Sequence, residues 1–362
     1  MAGHFLLSPA ARDFPLAKIE KMSEAEVHSF FTEIRWGKDG TQVCPLCGTN
    51  DKHYWNAKRK QWRCKSVGCG HSFSVTSATK FADHKLPLRT LLKAIVIFAT
   101  NVKGISASAL GRQLGVAYMT AYTLLHKLRE GILENANTQP LDGLVHVDGA
   151  HLSGRFRKPR VKEKATKTQA RDKVPADANP YHPNRRIVMV MRSVDTTGGL
   201  GAIRSIVQIV PAENQLFANH LAKSFIKKGA TVMTDESPAY SLYMARYQHA
   251  TVNHSVEFST DDGVNNNIAE SFFSRMRRLV IGQVHRVTPK YMLDYMTEVS
   301  WREDSRRTST ALMVRDLLGK TQKTRSRWWR GYWQGYKRAD EILFVPAHGE
   351  STWAKNAAES TQ

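Results

Sequence analysis

Leu144-Val145-His146-Val147-Asp148-Gly149-Ala150 reads as a short apolar β-strand that closes on a carboxylate. Downstream lie two further β-rich runs, Ile187 to Val194 and Ala202 to Val210. Between them Asp195-Thr196-Thr197-Gly198-Gly199 has the composition of a hairpin turn. A helical stretch from Gln215 to Lys227 leads through Gly229 into a fourth strand, Ala230-Thr231-Val232-Met233-Thr234-Asp235, which also ends on a carboxylate. A helix near Ala239 to Tyr247, a fifth strand at Ala250 to His254, and helices over Asn267 to Leu279 and Pro289 to Trp301 complete the series.

The order β-β-β-α-β-α-β-α is that of an RNase H-like α/β fold. Three antiparallel strands are joined by parallel ones through crossover helices to make a mixed five-stranded sheet. In such a sheet Asp148 and Asp235 end neighbouring strands, and Glu270 sits in the first turn of the helix that crosses beside them. Taken singly, Asp235 could cap Asp235-Glu236-Ser237-Pro238, and Glu270 could simply complement a helix dipole. Together, three clustered carboxylates repel one another unless a divalent cation neutralises them, and hard oxygen donors select Mg²⁺ or Mn²⁺. Two such ions per active site would suit phosphodiester chemistry.

Upstream of this domain, all four cysteines of the chain fall together as Cys44-x2-Cys47 and Cys64-x4-Cys69, separated by a hairpin-length insert. That spacing predicts a zinc ribbon holding one structural Zn²⁺, with no coordination position left for catalysis. Next, Pro87 opens a helix with Leu88, Leu91, Leu92 and Ile95 at helical spacing. A short helix capped by Ser106, a turn at Gly115 and a second helix from Tyr118 then read as a helix-turn-helix. Its second helix would present Tyr118, Thr120 and Ala121 to the major groove. An ordinary three-helix bundle is the bland alternative. Asn135, Asn137, Pro140 and Gly143 mark a linker.

Composition agrees with a nucleic-acid partner. The 362 residues carry 53 Lys and Arg against 32 Asp and Glu, a net charge of +21. With 41% apolar and 23% charged residues the chain can bury a core, and no run is long or apolar enough to span a membrane. The N-terminus lacks a charged-then-apolar leader, so a cytoplasmic, nucleoid-associated protein is expected. The stretch Arg155 to Lys173 is dense in Lys and Arg, opposed only by Glu163 and Asp172, and reads as a basic loop. Arg155, Arg157 and Lys158 open it as candidate DNA contacts.

These pieces resemble the bacterial insertion-sequence DDE transposases that carry an N-terminal zinc ribbon. The resemblance rests on Cys44-Pro45-Leu46-Cys47-Gly48, Val147-Asp148-Gly149, Thr234-Asp235-Glu236-Ser237-Pro238-Ala239-Tyr240, and Asn267-Ile268-Ala269-Glu270-Ser271-Phe272-Phe273-Ser274-Arg275-Met276-Arg277-Arg278. Val284-His285-Arg286-Val287-Thr288-Pro289 adds to it. It implies cleavage at transposon ends and transfer of the freed 3′-hydroxyl to target DNA, with Mg²⁺ as cofactor and Asp148, Asp235 and Glu270 as catalytic residues. The interval from Asp235 to Glu270 is similar to that of such triads. Where the family often has lysine after the glutamate, this chain has Arg277, followed by Arg278, both able to hold a DNA phosphate. Some relatives use asparagine as third ligand, and Asn265, Asn266 and Asn267 lie just upstream of Glu270. Partners would be double-stranded transposon ends and target DNA, and pairing two ends implies a homodimer or higher oligomer on DNA.

The expected organisation is therefore an N-terminal helical segment (1–39), the ribbon (40–78), the helix-turn-helix domain (79–134) and the catalytic domain (144–304) with its basic insert (155–183). A basic aromatic region (305–347) and a disordered tail (348–362) follow. In the aromatic region, Arg325, Arg327, Trp328, Trp329 and Arg330 suggest either stacking on unpaired bases or tryptophans packed on the catalytic domain. Two other functions fit parts of the sequence: a catalytically silent DNA-binding regulator derived from a transposase, and an RNase H-type nuclease. The second leaves the ribbon and reading helix unexplained.

Overall fold

The computed structural model describes residues 5–153, 185–195, 201–252, 267–331, 338, 340–346 and 350–351. The chain forms two compact units, one of Met1–Ala136 with Trp301–Arg338, the other of Asn137–Ser300 with Ala339–Gln362. Among the described residues no helix is long and apolar enough to cross a membrane. Arg155, Arg157, Lys158, the rest of the basic insert, Asn265, Asn266 and most of the expected tail lie outside the described residues.

The first unit opens with α1 (Leu16–Lys21) and α2 (Glu24–Trp36). A reciprocal capping box starts α2: Glu26 N–H donates to Ser23 Oγ at 3.2 Å and Ser23 N–H to Glu26 Oε2 at 2.6 Å. Short strands β1 (Gln42–Val43), β2 (Asn50–Asp51), β3 (Tyr54–Asn56), β4 (Gln61–Arg63) and β5 (Ser72–Phe73) build the cysteine-bearing module. Trp62 and Phe73 of this module are buried with Phe31, Leu92, Ile95 and Leu128 in one apolar core. Helices α3 (Leu88–Thr100), α4 (Ala107–Leu114) and α5 (Tyr118–Glu134) follow. Ser106 Oγ caps α4 by accepting from Ala109 N–H at 3.2 Å, and Gly115 ends it at φ +65°. A side chain in that left-handed conformation would cost roughly 1–2 kcal/mol, so glycine sets the turn between the two helices.

The C-terminal part of this unit corrects one expectation. After the helix Thr310–Gln322, Trp329 packs on α5 rather than on the catalytic domain. Trp329 is fully buried, with its ring stacked 4.1 Å from that of His126 and edge-on to Tyr122 at 5.7 Å. Glu130 explains the attachment. Its carboxylate takes the Ser326 hydroxyl at 2.6 Å and the Arg327 N–H at 2.7 Å, beside the buried Lys80 amino group, which also pairs with Glu134. Such a carboxylate and ammonium are tolerable inside only because each meets the other and hydrogen bonds besides.

The second unit is built on β6 (Leu144–Ser153), β7 (Arg185–Asp195), β8 (Gly201–Val210), α6 (Gln215–Phe225), β9 (Thr231–Asp235), β10 (Gln248–Val252), α7 (Asn267–Leu279) and the part of α8 (Met292–Asp304) before Trp301. Its five-stranded sheet runs β10-β9-β6-β7-β8. The β6–β7 and β7–β8 pairs are antiparallel, while β9 runs parallel to β6 and to β10. This is the mixed α/β sheet expected from the sequence. Val145, Val147 and Val232 face a core shared with Leu221, Ala222 and Phe225 of α6.

Three details differ from the sequence reading. β6 does not end at Asp148 but continues to Ser153, because β7 pairs with it as far as Ser153↔Arg185. The helix expected near Ala239 to Tyr247 is instead two 3₁₀ turns, Pro238–Tyr240 and Tyr243–Ala245. Tyr240 and Tyr243 are both buried in the core from these short connectors. The fifth strand starts at Gln248, two residues before the expected Ala250.

Candidate active site and metal centre

Asp148 lies midway along the central strand β6, and Asp235 is the last residue of its parallel neighbour β9. The register that pairs Leu144 with Thr231 and His146 with Met233, continued along the strands, sets Asp148 level with Asp235. Because side chains alternate along a strand, Asp148 projects from the face opposite Val145 and Val147. Glu270 stands exposed in the first turn of α7. The Asp148 carboxyl is pushed up to about 8, first by burial, then by Asp235, with further contributions from Glu213 and Glu270; a hydrogen bond from Gly149 N–H at 2.8 Å pulls the other way. The three expected carboxylates are thus electrostatically one site, with Asp148 at its centre.

Sequence reasoning missed Glu213, an acidic neighbour of Asp148 and Asp235 in the turn between β8 and the Asn214 cap of α6. Tyr240 donates its hydroxyl to Glu213 Oε1 at 2.6 Å. Burial raises the Glu213 carboxyl, Tyr240 opposes that, and Asp235 adds to it. The one hint in the sequence is a carboxylate placed just past a strand end, in Val210-Pro211-Ala212-Glu213, as Asp235 is placed at the end of β9.

Arg192, opposite His146 on β7, holds the helix that bears Glu270. The guanidinium is buried, and Nη1 donates to Ile268 O at 2.7 Å and Ser271 Oγ at 3.1 Å, while Nε reaches Ser205 Oγ at 2.9 Å. At the far end of α7, Arg277 and Arg278 are exposed in the last turn.

The donor set fits divalent cations. All four groups are hard oxygen donors, and a buried carboxyl raised by its acidic neighbours is the arrangement that a cation relieves. Asp148 and Asp235 would hold the ions with Glu270 closing the site.

The cysteines fit a different metal. Cys47 Sγ lies 3.6 Å from Cys64 Sγ and Cys44 Sγ 3.8 Å from Cys69 Sγ, and the four sulfurs all fall within 4.8 Å of one another. Tetrahedral Zn–S bonds of about 2.3 Å require sulfurs about 3.8 Å apart, whereas a disulfide would need about 2.05 Å. The Cys47 thiol is pulled down to about 6, chiefly by the Thr49 hydroxyl and backbone, whereas burial pushes the Cys64 thiol up to about 12, so the sulfur geometry carries the zinc assignment. Among the described residues these sulfurs are the only set of three or more His, Cys, Asp or Glu ligand atoms so closely gathered; the carboxylates are more widely spaced.

Of the residues expected to read DNA, Tyr118 and Thr120 occupy the first turn of α5, and Tyr118 is 56% exposed. A groove of about 990 Å³ runs beside them, lined by Thr120, Thr123, Lys85, Lys127, Arg327 and Arg330 among others. The C-terminal arginines therefore reach the same helix through the attachment of Trp329.

Residues 140–304 match the ISXO2-like transposase domain, and residues 22–72 match the transposase zinc-ribbon domain. Among proteins with curated descriptions, none matches the chain significantly. The first match spans the sheet with Asp148, Asp235 and Glu270, and the second ends three residues past Cys69. With both domains present in that order, the chain belongs to the insertion-sequence DDE transposases that carry an N-terminal zinc ribbon.

Proposed function

We propose that this chain binds transposon ends as double-stranded DNA, cleaves them and joins the freed 3′-hydroxyl to target DNA, working at the nucleoid in the cytoplasm as a dimer or larger assembly. The observation that carries this reading is the level placement of Asp148 and Asp235 on adjacent parallel strands, with Glu270 close enough to raise the Asp148 carboxyl. Asp148, Asp235 and Glu270 are the catalytic, metal-holding residues. Bound there, two Mg²⁺ or Mn²⁺ ions would supply charge stabilisation to the attacking and leaving oxygens of a phosphodiester. Arg192 keeps the start of α7 against the sheet, so that Glu270 is held over Asp148 rather than swinging with a loose helix end. Arg277 and Arg278 hold DNA phosphates. Tyr118 and Thr120, at the exposed start of α5, read base edges in the manner of a helix-turn-helix, beside phosphate contacts from the basic groove. The four cysteines hold one Zn²⁺ that folds the ribbon.

The test separates binding from chemistry. Asp148→Asn, Asp235→Asn and Glu270→Gln each remove one negative charge while keeping shape, so end binding should persist while cleavage and joining of a labelled end fall by orders of magnitude. Cleavage should require Mg²⁺ or Mn²⁺ and stop with Ca²⁺, whose coordination is looser. A wild type that binds but never cuts in any metal would make the chain a regulator. Loss in both aspartate variants but not in Glu270→Gln would move the third ligand to Asn267 or a neighbour.

A further inference from the structure

The geometry points to Glu213 as a fourth carboxylate of the metal site, seated on Gly149, oriented by Tyr240, and contributing to how tightly the divalent cations are held. This inference rests on the reading of Asp148 and Asp235 as metal-holding residues.

The first support is the glycine that follows Asp148. A Cβ added at Gly149 would lie 2.6 Å from the Glu213 carboxyl carbon and 2.6 and 2.7 Å from its oxygens. Glycine inside a strand weakens it and commonly marks a close approach. Here the approaching group is a carboxylate, laid directly against the backbone next to Asp148. The backbone of Gly149 is not in the left-handed region, and the nearest obstacle to a side chain is the carboxylate of Glu213.

The second support is what Glu213 lacks. Glu213 is half-buried, and a carboxylate partly withdrawn from water normally meets a cation or several donors. Among the described residues Glu213 accepts one hydrogen bond, from the fully buried Tyr240, and forms no ion pair with Lys or Arg. Its remaining electrostatic neighbours are Asp148 and Asp235, which repel it. A half-buried acid set among acids serves no packing purpose. It is accounted for if a cation sits among them. Tyr240 fixes one oxygen and leaves the other available.

The experiment uses full-length, zinc-loaded protein without DNA and titrates Mn²⁺, reading the free aqua ion by electron paramagnetic resonance. Glu213→Gln should weaken Mn²⁺ binding by about 10- to 100-fold, the range typical of removing a group that supports a metal site. Gly149→Ala keeps every carboxylate but pushes Glu213 off its seat, and should weaken binding in the same direction. Tyr240→Phe, which frees the carboxylate to turn, should give a smaller loss. Thermal melting of each variant confirms that it is folded; should Glu213→Gln fail that check, Gly149→Ala decides. Wild-type Mn²⁺ affinity in Glu213→Gln and Gly149→Ala, beside clear loss in Asp148→Asn, would overturn the inference and leave the active-site reading standing. Unchanged affinity in Asp148→Asn and Asp235→Asn as well would overturn both.

Discussion

Arg192 shows how one side chain can join scaffold to chemistry. Its guanidinium spends hydrogen bonds on Ser205 of the sheet and on Ile268 and Ser271 of α7, and Glu270 lies between those last two in sequence. Arg192→Met keeps much of the apolar stem but removes three charge-assisted hydrogen bonds, at about 1.5–3 kcal/mol each. Urea unfolding should register that loss, and end cleavage should fall further than end binding, because the helix carrying Glu270 is no longer pinned. Equal losses in binding and cleavage would make Arg192 a fold residue only. A titrating residue gives a second prediction. Burial, then the Lys127 charge, pushes His84 down to about 4 from the usual 6.5. Between those values the unfolded chain binds the proton more readily, so stability is fully present above pH 6.5 and lost as pH falls towards 4. The loss is at most about 1.4 kcal/mol per pH unit for one group. His84→Gln should lack this component, and its stability relative to wild type should rise by that slope on acidification. A constant difference from pH 7 to pH 4.5 would show that His84 stays accessible to protons when folded. Neither residue is legible in the sequence: an arginine within an apolar strand reads as solvent-facing, and the histidine's burial depends on contacts distant in the chain.

At the scale of elements, the cysteine module is the part most dependent on one covalent choice. Its strands are two or three residues each, too short to hold themselves, yet Trp62 and Phe73 are drawn into the core beside α2 and α3. Arg35 of α2 adds to the hold by donating to the carbonyls of Ser74, Val75 and Ser77. Cys64→Ser should release zinc, measured by elemental analysis, and expose Trp62, seen as a red-shifted fluorescence, while the sheet unit keeps its own melting transition. Retained zinc with native fluorescence would mean that three sulfurs suffice. The sheet itself was legible because each strand is a distinct apolar run and two of them close on aspartates. The 3₁₀ turns of Pro238–Tyr240 and Tyr243–Ala245 were not, since Tyr240, Tyr243 and Tyr247 fall at helical spacing although the chain makes only single turns there. Glu213 escaped for a related reason: its meaning lies in Gly149 and Tyr240, which the chain brings together only after folding. The packing of Trp329 likewise depends on Glu130 seizing Ser326 and Arg327, a contact across nearly two hundred residues that no local pattern announces.

For the whole molecule the governing quantity is its charge of +21, which has no role in holding either core and opposes compaction. Such an excess is useful if it meets phosphates, and the groove beside α5 gathers Lys85, Lys127, Arg327 and Arg330 where the exposed Tyr118 begins the helix. Lys127 is the informative member. Burial lowers its pKa, the carboxylates of Glu130 and Asp83 oppose that, and Arg325 and Lys80 add to it, so a phosphate entering the groove would have to compete with carboxylates that already act on this ammonium. If the excess serves DNA, affinity for a transposon end should fall by about 10³- to 10⁵-fold between about 50 and 200 mM salt, as expected for roughly 6–10 phosphate contacts. Lys127→Ala and Arg330→Ala should each weaken binding to any sequence alike and each reduce the logarithmic salt slope by about one. Tyr118→Ala, by contrast, should lower preference for the transposon end over unrelated DNA and leave the slope unchanged, because it reads bases and carries no charge. Deleting Arg155 to Lys173 gives a further slope, which drops only if that segment also touches the backbone. Fluorescence anisotropy across a salt series measures the wild-type slope and those of the four variants. A slope unaltered by Lys127→Ala and Arg330→Ala together would show that DNA does not enter this groove. The charge would then have to act through surfaces elsewhere on the chain.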